Sequence, residues 1–280
     1  MLQVRLRRRW RWRCGMLPFI PQVIHRGQCQ PLRERVLSDY NQAMQASRRH
    51  PWQVTPAEAQ AIQRSLADQV SRKNEVGLVR LVAGVDISSD RASRMATGAA
   101  VVLAYPDMTV VERSVVEQEV DFPYIPGLLS FREAPLILAA CEKLNHSPDL
   151  ILVDGQGIAH PRRLGLASHV GLLLDLPAIG CAKSLLCGSH GLVGDEAGSL
   201  AETSHDGEVI GAALRTKKGV RPLYVSVGHK VDLASAVSWV MRCCRGYRMP
   251  EPTRMAHLTA GAGLSSSSPA KREKQPVGPV

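Results

Sequence analysis

DLILVDGQGIAHPRRLGLASH, residues Asp149 to His169, is the stretch on which the reading of this chain turns. An apolar run from Leu150 to Val153 stops at a carboxylate, Asp154, and Gly155, Gly157, His160, Pro161, Arg162 and Arg163 follow. A short unbroken apolar run suits a strand covered on both faces, and the carboxyl ends of such strands are where α/β proteins place ligands and reactive groups. The useful question is what else in the chain converges on Asp154.

Upstream, Thr55-Pro56-Ala57-Glu58 is a capping box with proline at the first helical position, and it predicts a helix through about Asn74. Leu78 to Val85 reads as a strand closing on Asp86, Gly98 to Tyr105 and Met108 to Val120 as two more, the last at or near a sheet edge. A constrained loop, Phe122-Pro123-Tyr124-Ile125-Pro126-Gly127, leads into a helix from about Leu128 to Asn145. After the strand at Leu150 come a helix from about Arg163 to Asp175, a strand at Ala178 to Ala182, a hairpin of Val209 to Leu214 with Leu223 to Val227, and a helix from Asp232 to Arg245. The fold class is therefore α/β, a mixed sheet flanked by helices. In the ribonuclease H-like arrangement with this order, the strand after the first helix lies parallel to and beside the first strand. Asp86 and Asp154 then stand on strands about 4.8 Å apart, close enough for both to hold one or two metal ions.

Composition narrows the partners. The chain has 280 residues, 45% hydrophobic and 21% charged, and a net charge of +10 that favours an anionic partner such as nucleic acid. Six of those charges are Arg5, Arg7, Arg8, Arg9, Arg11 and Arg13, and without them the excess is a modest +4. The seven cysteines contain no Cys-x-x-Cys pair, which supports neither a zinc knuckle nor a disulfide framework and fits a reducing cytoplasm. The most apolar long stretch, Leu164 to Leu186, is interrupted by His169, Asp175 and Lys183 and reads as core. Residues 1–50 read as a disordered extension, in preference to a mitochondrial-type presequence or a nucleic-acid-binding arm, residues 51–256 as a single catalytic domain, and residues 257–280 as a disordered tail.

Two carboxylates at strand ends are costly to crowd together unless a cation sits between them, and magnesium is the natural one for oxygen ligands. Glu133, in Ser-Phe-Arg-Glu-Ala-Pro, is a third candidate ligand, although spacing alone fits a glutamate on a solvated helix face. Tyr124 between two prolines is either a rigid wedge of the kind pushed between bases or a ring that packs home. Of His160, His169 and His229, the first lies six residues after Asp154 and is the best acid–base candidate. Lys183 at a strand end can neutralise charge on a phosphate, and Arg162 and Arg163 can grip phosphate oxygens; each also fits an ordinary surface position. The third glycine of a dinucleotide fingerprint, a Walker-type loop and a Gly-x-Ser-x-Gly elbow are absent from the sequence, which disfavours a P-loop NTPase and a serine hydrolase.

Taken together, Gly84-Val85-Asp86, Pro123 to Gly127 with Leu129 to Glu133, Val153 to Arg163 with Gly165 to His169, Ile179-Gly180 with Lys183, and Gly228-His229 with Asp232 resemble the endonuclease V family. The likeness runs from about Thr55 to Arg254. It implies a ribonuclease H-like fold and a magnesium-dependent nuclease, with manganese as a substitute ion. The implied substrate is DNA containing deoxyinosine, nicked at the second phosphodiester bond 3′ to the lesion to leave 3′-hydroxyl and 5′-phosphate ends. By motif, Asp86, Asp154 and Glu133 become the metal ligands and Pro123, Tyr124, Ile125, Pro126 and Gly127 the strand-separating wedge. His160, Lys183 and His229 become catalytic residues, and Asp232, Arg162 and Arg163 supporting ones. Many bacterial members carry His or Asn where this chain has Gln156, which keeps an amide for hydrogen bonding. No apolar stretch is long enough to predict a membrane association, and a monomer without an obligate protein partner is expected. Inosine in RNA, and non-catalytic binding of damaged or branched DNA, are the alternatives.

Overall fold

The computed structural model describes residues 43–89 and 94–267. Thr55 caps α1, Pro56–Ala67, through the expected box: its side chain accepts from the Glu58 amide while Glu58 Oε2 accepts from the Thr55 amide at 2.7 Å. The helix stops at Ala67, short of Asn74, because the next amides fall back on carbonyls three residues earlier, Gln69 to Leu66 and Val70 to Ala67.

Strands β1 (Leu81–Ser89), β2 (Met95–Ala104) and β3 (Thr109–Glu119) form an antiparallel meander. Helix α2 (Leu129–Glu142), β4 (Leu150–Val153), α3 (Leu166–Leu174) and β5 (Ala178–Ala182) follow, then β6 (Ser189–His190), β7 (Leu200–His205), β8 (Glu208–Leu214), β9 (Leu223–His229), α4 (Leu233–Cys243) and α5 (Glu251–Ser267). The nine strands make one sheet in the order β3-β2-β1-β4-β5-β9-β8-β7-β6. β4 lies parallel to β1 and β5 parallel to β4, and β3 lies at an edge as expected.

The central strands are apolar throughout because both faces are covered. Leu81, Ala83, Val85, Ile151 and Val153 face α2 and α3, whereas Val82, Leu150, Leu152, Ile179 and Cys181 face the side of α4 and α5. That two-residue alternation is the strand pleat.

Two expectations change, and two strands are added. The segment from residue 43 is ordered: Met44 is buried and the Ser47 amide donates to the Leu173 carbonyl at 2.8 Å, so disorder does not extend through residues 43–50. Residues 257–267 are helix rather than tail, since Ala256 and Ala260 let α5 press closely over β1 and β2. Strands β6 and β7 were hidden by their polar sequences, which reflect a solvated sheet edge. The remaining tail assignments, residues 1–42 and 268–280, lie outside the described residues. Among the described residues, no helix is long and apolar enough to cross a membrane.

Candidate active site and metal centre

Parallel pairing of Val85 with Val153 brings the next residue of each strand, Asp86 and Asp154, to the same end of the sheet, and the Asp154 amide closes the pair by donating to the Val85 carbonyl. One face of β1 is reserved for α5. A Cβ on Gly84 would stand 2.0 Å from the Pro252 carbonyl carbon, so only glycine lets the start of α5 lie against the strand. That close approach carries His257, further along the helix, over Asp86, with Nδ1 2.6 Å from Oδ2. Donor atoms of Asp86, Asp154 and His257 all lie within 4.8 Å of one another. Sequence reasoning missed His257 because the Gly- and Ser-rich run after it reads as tail.

The electrostatics of this cluster are uncomfortable. Two unit charges at 4.8 Å repel by about 3 kcal/mol at the effective dielectric of a protein. Burial first, and the Asp154 charge second, push the Asp86 carboxyl up, against the opposing pull of His257 and Lys183. Glu133 on α2 is pushed up to about 8, by burial and then by Asp86 and Asp154. It belongs to the same electrostatic cluster and does not stand on a solvated face. Lys183 Nζ lies 2.5 Å from Asp154 Oδ2, an ion pair that offsets part of this repulsion. Crowded carboxylates and an imidazole within reach of one another are a donor set that fits a divalent cation.

Beside this cluster a cavity of about 280 Å³ opens between two walls. Tyr124 to Gly127 form one and Lys183 to Leu186 the other, with Asp154, Gly155 and Gln156 between them. The Gln156 amide donates to the Ser184 carbonyl at 2.8 Å and so ties the loop after β4 to the loop after β5. Tyr124 does not pack home: it is 73% exposed, which forgoes about 2 kcal/mol of burial.

The other candidates are placed differently from expectation. His160 lines the cavity but both ring nitrogens are engaged. Nδ1 accepts from the Arg162 amide at 3.1 Å, which leaves Nε2 to donate to the Gly127 carbonyl at 2.9 Å. Burial pushes its pKa down to about 4, so it is a neutral tether near pH 7. Arg162 is turned inward to Gln63 Oε1 and the Gly127 carbonyl, and Arg163 to Glu208 and the His160 and His205 carbonyls; neither is presented to a phosphate. His229 is paired with Ala178, at the opposite end of β5 from Lys183, and Asp232 caps α4 by accepting from the Ser235 amide at 2.7 Å. The antiparallel pairing of β9 with β5 thus separates His229 and Asp232 from the carboxylates.

Residues 64–258 match the family model described as Endonuclease V. A curated relative named Endonuclease V, from Dehalococcoides mccartyi, is 56% identical over 211 residues, 75% of this chain and 95% of its own. The crystal structure of the endonuclease V from Streptomyces avermitilis is similar at a TM-score of 0.74 and 41% identity, over 78% of this chain and 96% of that one. A Ciona intestinalis endonuclease V, solved in complex with a 24mer DNA containing an inosine followed by a ribo-adenosine, is similar at a TM-score of 0.64 and 30% identity, over 75% of this chain and 97% of its own.

Proposed function

The chain belongs to the endonuclease V family, and from that premise we propose that it is a metal-dependent endodeoxyribonuclease that acts on DNA containing deoxyinosine. It hydrolyses the second phosphodiester bond 3′ to the lesion and leaves 3′-hydroxyl and 5′-phosphate ends. The observation that supports this best is the convergence of Asp86, Asp154 and His257 beside a cavity walled by the Tyr124 loop.

In this reading Asp86, Asp154 and His257 hold the cation, with Glu133 next to them, and magnesium is the expected ion. When bound, the cation supplies an activated water and positive charge at the scissile phosphate. Lys183 adds a second positive charge at the same edge. The exposed Tyr124 ring fills the gap in the base stack that an extruded base leaves, and the cavity behind it receives that base. His160 holds the wedge loop in place rather than moving a proton. We take the catalytic unit to run from the ordered segment near Met44 through α5. Free, buried Cys141, Cys181 and Cys243 and bacterial relatives support a cytoplasmic setting.

The decisive experiment is incubation with Mg²⁺ and a duplex carrying one deoxyinosine. A nick at the second bond 3′ to the lesion, lost with chelator and in Asp154→Ala, is expected; an uncut duplex, or equal cutting by Asp154→Ala, overturns the reading. The Ciona intestinalis complex, with its ribo-adenosine after the inosine, favours a second reading in which a 2′-hydroxyl beside the lesion is preferred. Matched strands differing only in that sugar separate the two.

A further inference from the structure

The wedge loop ends at Gly127, whose φ of +79° suits glycine, and the carbonyl of that residue is the most heavily used in the neighbourhood. Three side chains donate to it: Arg162 Nη2 at 2.7 Å, His160 Nε2 at 2.9 Å and Gln63 Nε2 at 3.0 Å. A carbonyl oxygen has two lone pairs, so three donors exceed what its own satisfaction requires. Gln63 is the unexpected member. It lies on α1, far from the carboxylates in sequence, and is fully buried.

An amide buried in a helix face that otherwise carries Ala59 and Leu66 is costly unless every polar atom is used. Here each one is. Nε2 donates to the Gly127 and Leu164 carbonyls, both at 3.0 Å, and Oε1 accepts from Arg162 Nε at 2.6 Å. The orientation is unambiguous, since a guanidinium can only donate and a carbonyl can only accept. The other end of the loop is held too, by Arg132 Nη1 donating to the Phe122 carbonyl at 2.6 Å. Between the two anchors the Tyr124 ring projects into solvent, with Pro123 and Pro126 exposed on either side of it.

We infer that Gln63 is a positioning residue for strand opening: through Gly127 and Arg162 it fixes the aim of the Tyr124 wedge. This rests on the proposed activity. A wedge that must displace a partner strand loses its effect if its base yields, because the entropy of a loosened loop opposes insertion. An inosine in a single strand has no partner to displace and makes no such demand.

The experiment compares nicking of one inosine strand, alone and in duplex, by wild type and Gln63→Met, which keeps the length of the side chain and removes its hydrogen bonds. The duplex rate is expected to fall about tenfold and the single-strand rate by less than about threefold. In a Tyr124→Ala background, Gln63→Met should add nothing on duplex. Gln63→Glu, which keeps the Arg162 contact and loses both donations, should repeat the duplex-selective loss and serves if Gln63→Met does not fold. Equal losses on both substrates, or full additivity with Tyr124→Ala, overturn the inference while leaving the activity standing. A wild-type chain that nicks neither strand removes both.

Discussion

The two ends of the central strands carry the same residue types in opposite states. At the end where β4 stops, Asp86, Asp154 and Glu133 crowd against one another, and the Asp86 and Glu133 carboxyls are pushed upward although Lys183 lies 2.5 Å from Asp154 and His257 2.6 Å from Asp86. At the other end, around the start of β5, Asp175 is paired with Lys230 Nζ at 2.8 Å, and the hydrogen bond from Lys230 leads the interactions that hold its carboxyl below the usual range. His229 accepts from the Ser71 amide and faces Asp175, and Asp232 caps α4. One end has been arranged for the stability of the fold. The other tolerates repulsion of a few kcal/mol, a large share of a domain's net stability, and such places are where a ligand is expected to complete the structure.

The largest effect should come from removing a charge at the crowded end. Asp154→Asn should cost at least about 10²-fold in nicking while the melting temperature in chelator stays level or rises; a large loss of stability would mean that the end is not strained. Adding Mg²⁺ at about a hundred times its dissociation constant should stabilise the wild type by about 2.7 kcal/mol and leave Asp154→Asn unmoved. His229→Asn should respond to the ion like the wild type, and a lost response there would place the ion at the wrong end.

The interior offers a neutral counterpart to this strain. His169 is fully buried, and burial, then His50, push its pKa from 6.5 down to about 3. His50 Nδ1 lies 2.8 Å from the Pro51 carbonyl and must donate to it, so its Nε2 accepts from His169 Nε2 at 2.7 Å, and His169 Nδ1 is left without a partner. The unfolded chain takes up a proton near pH 6.5 and the folded one does not until about 3. Its contribution is therefore undiminished above pH 6.5 and lost as the pH falls toward 3, at up to about 1.4 kcal/mol per pH unit. Denaturant melts between pH 7 and 5 should show this slope, and His169→Gln should flatten it; an unchanged slope would assign the acid sensitivity elsewhere. The smallest effects belong to the satisfied end. Asp232→Ala should cost about 1 kcal/mol through the lost cap, and Asp175→Asn about 0.5 kcal/mol through an exposed ion pair, both with nicking intact by gel assay.

Asp86 and Asp154 were legible because a strand buried on both faces cannot disguise a carboxylate: an unbroken apolar run ending in aspartate has few other meanings. The loop from Pro123 to Gly127 was legible for a related reason, since its prolines and glycine dictate backbone geometry directly. His229 and Asp232 could not be placed from the sequence, because adjacency to a strand end does not say which end, and the antiparallel pairing of β9 with β5 sets them at the other one. Arg162 and Arg163 could not be placed from the sequence, because a guanidinium bonded within the fold and a solvated one have the same letter. Gln63 and His257 were invisible, each depending on a helix packing against a distant strand or loop. The only local signal for His257 is Gly84, whose missing side chain marks where another backbone must come close.

That contact at Gly84 also sets an order of events. Helix α5 follows every strand of the sheet, so a chain emerging from the ribosome presents Asp86 and Asp154 before it owns His257. On the proposed reading the centre gains its imidazole last of the three donors, and a chain that stops before α5 lacks it. A chain truncated after Met249 should hold Mg²⁺ less tightly than the full chain, by calorimetric titration; equal affinity would show that the centre is ready before its last helix arrives.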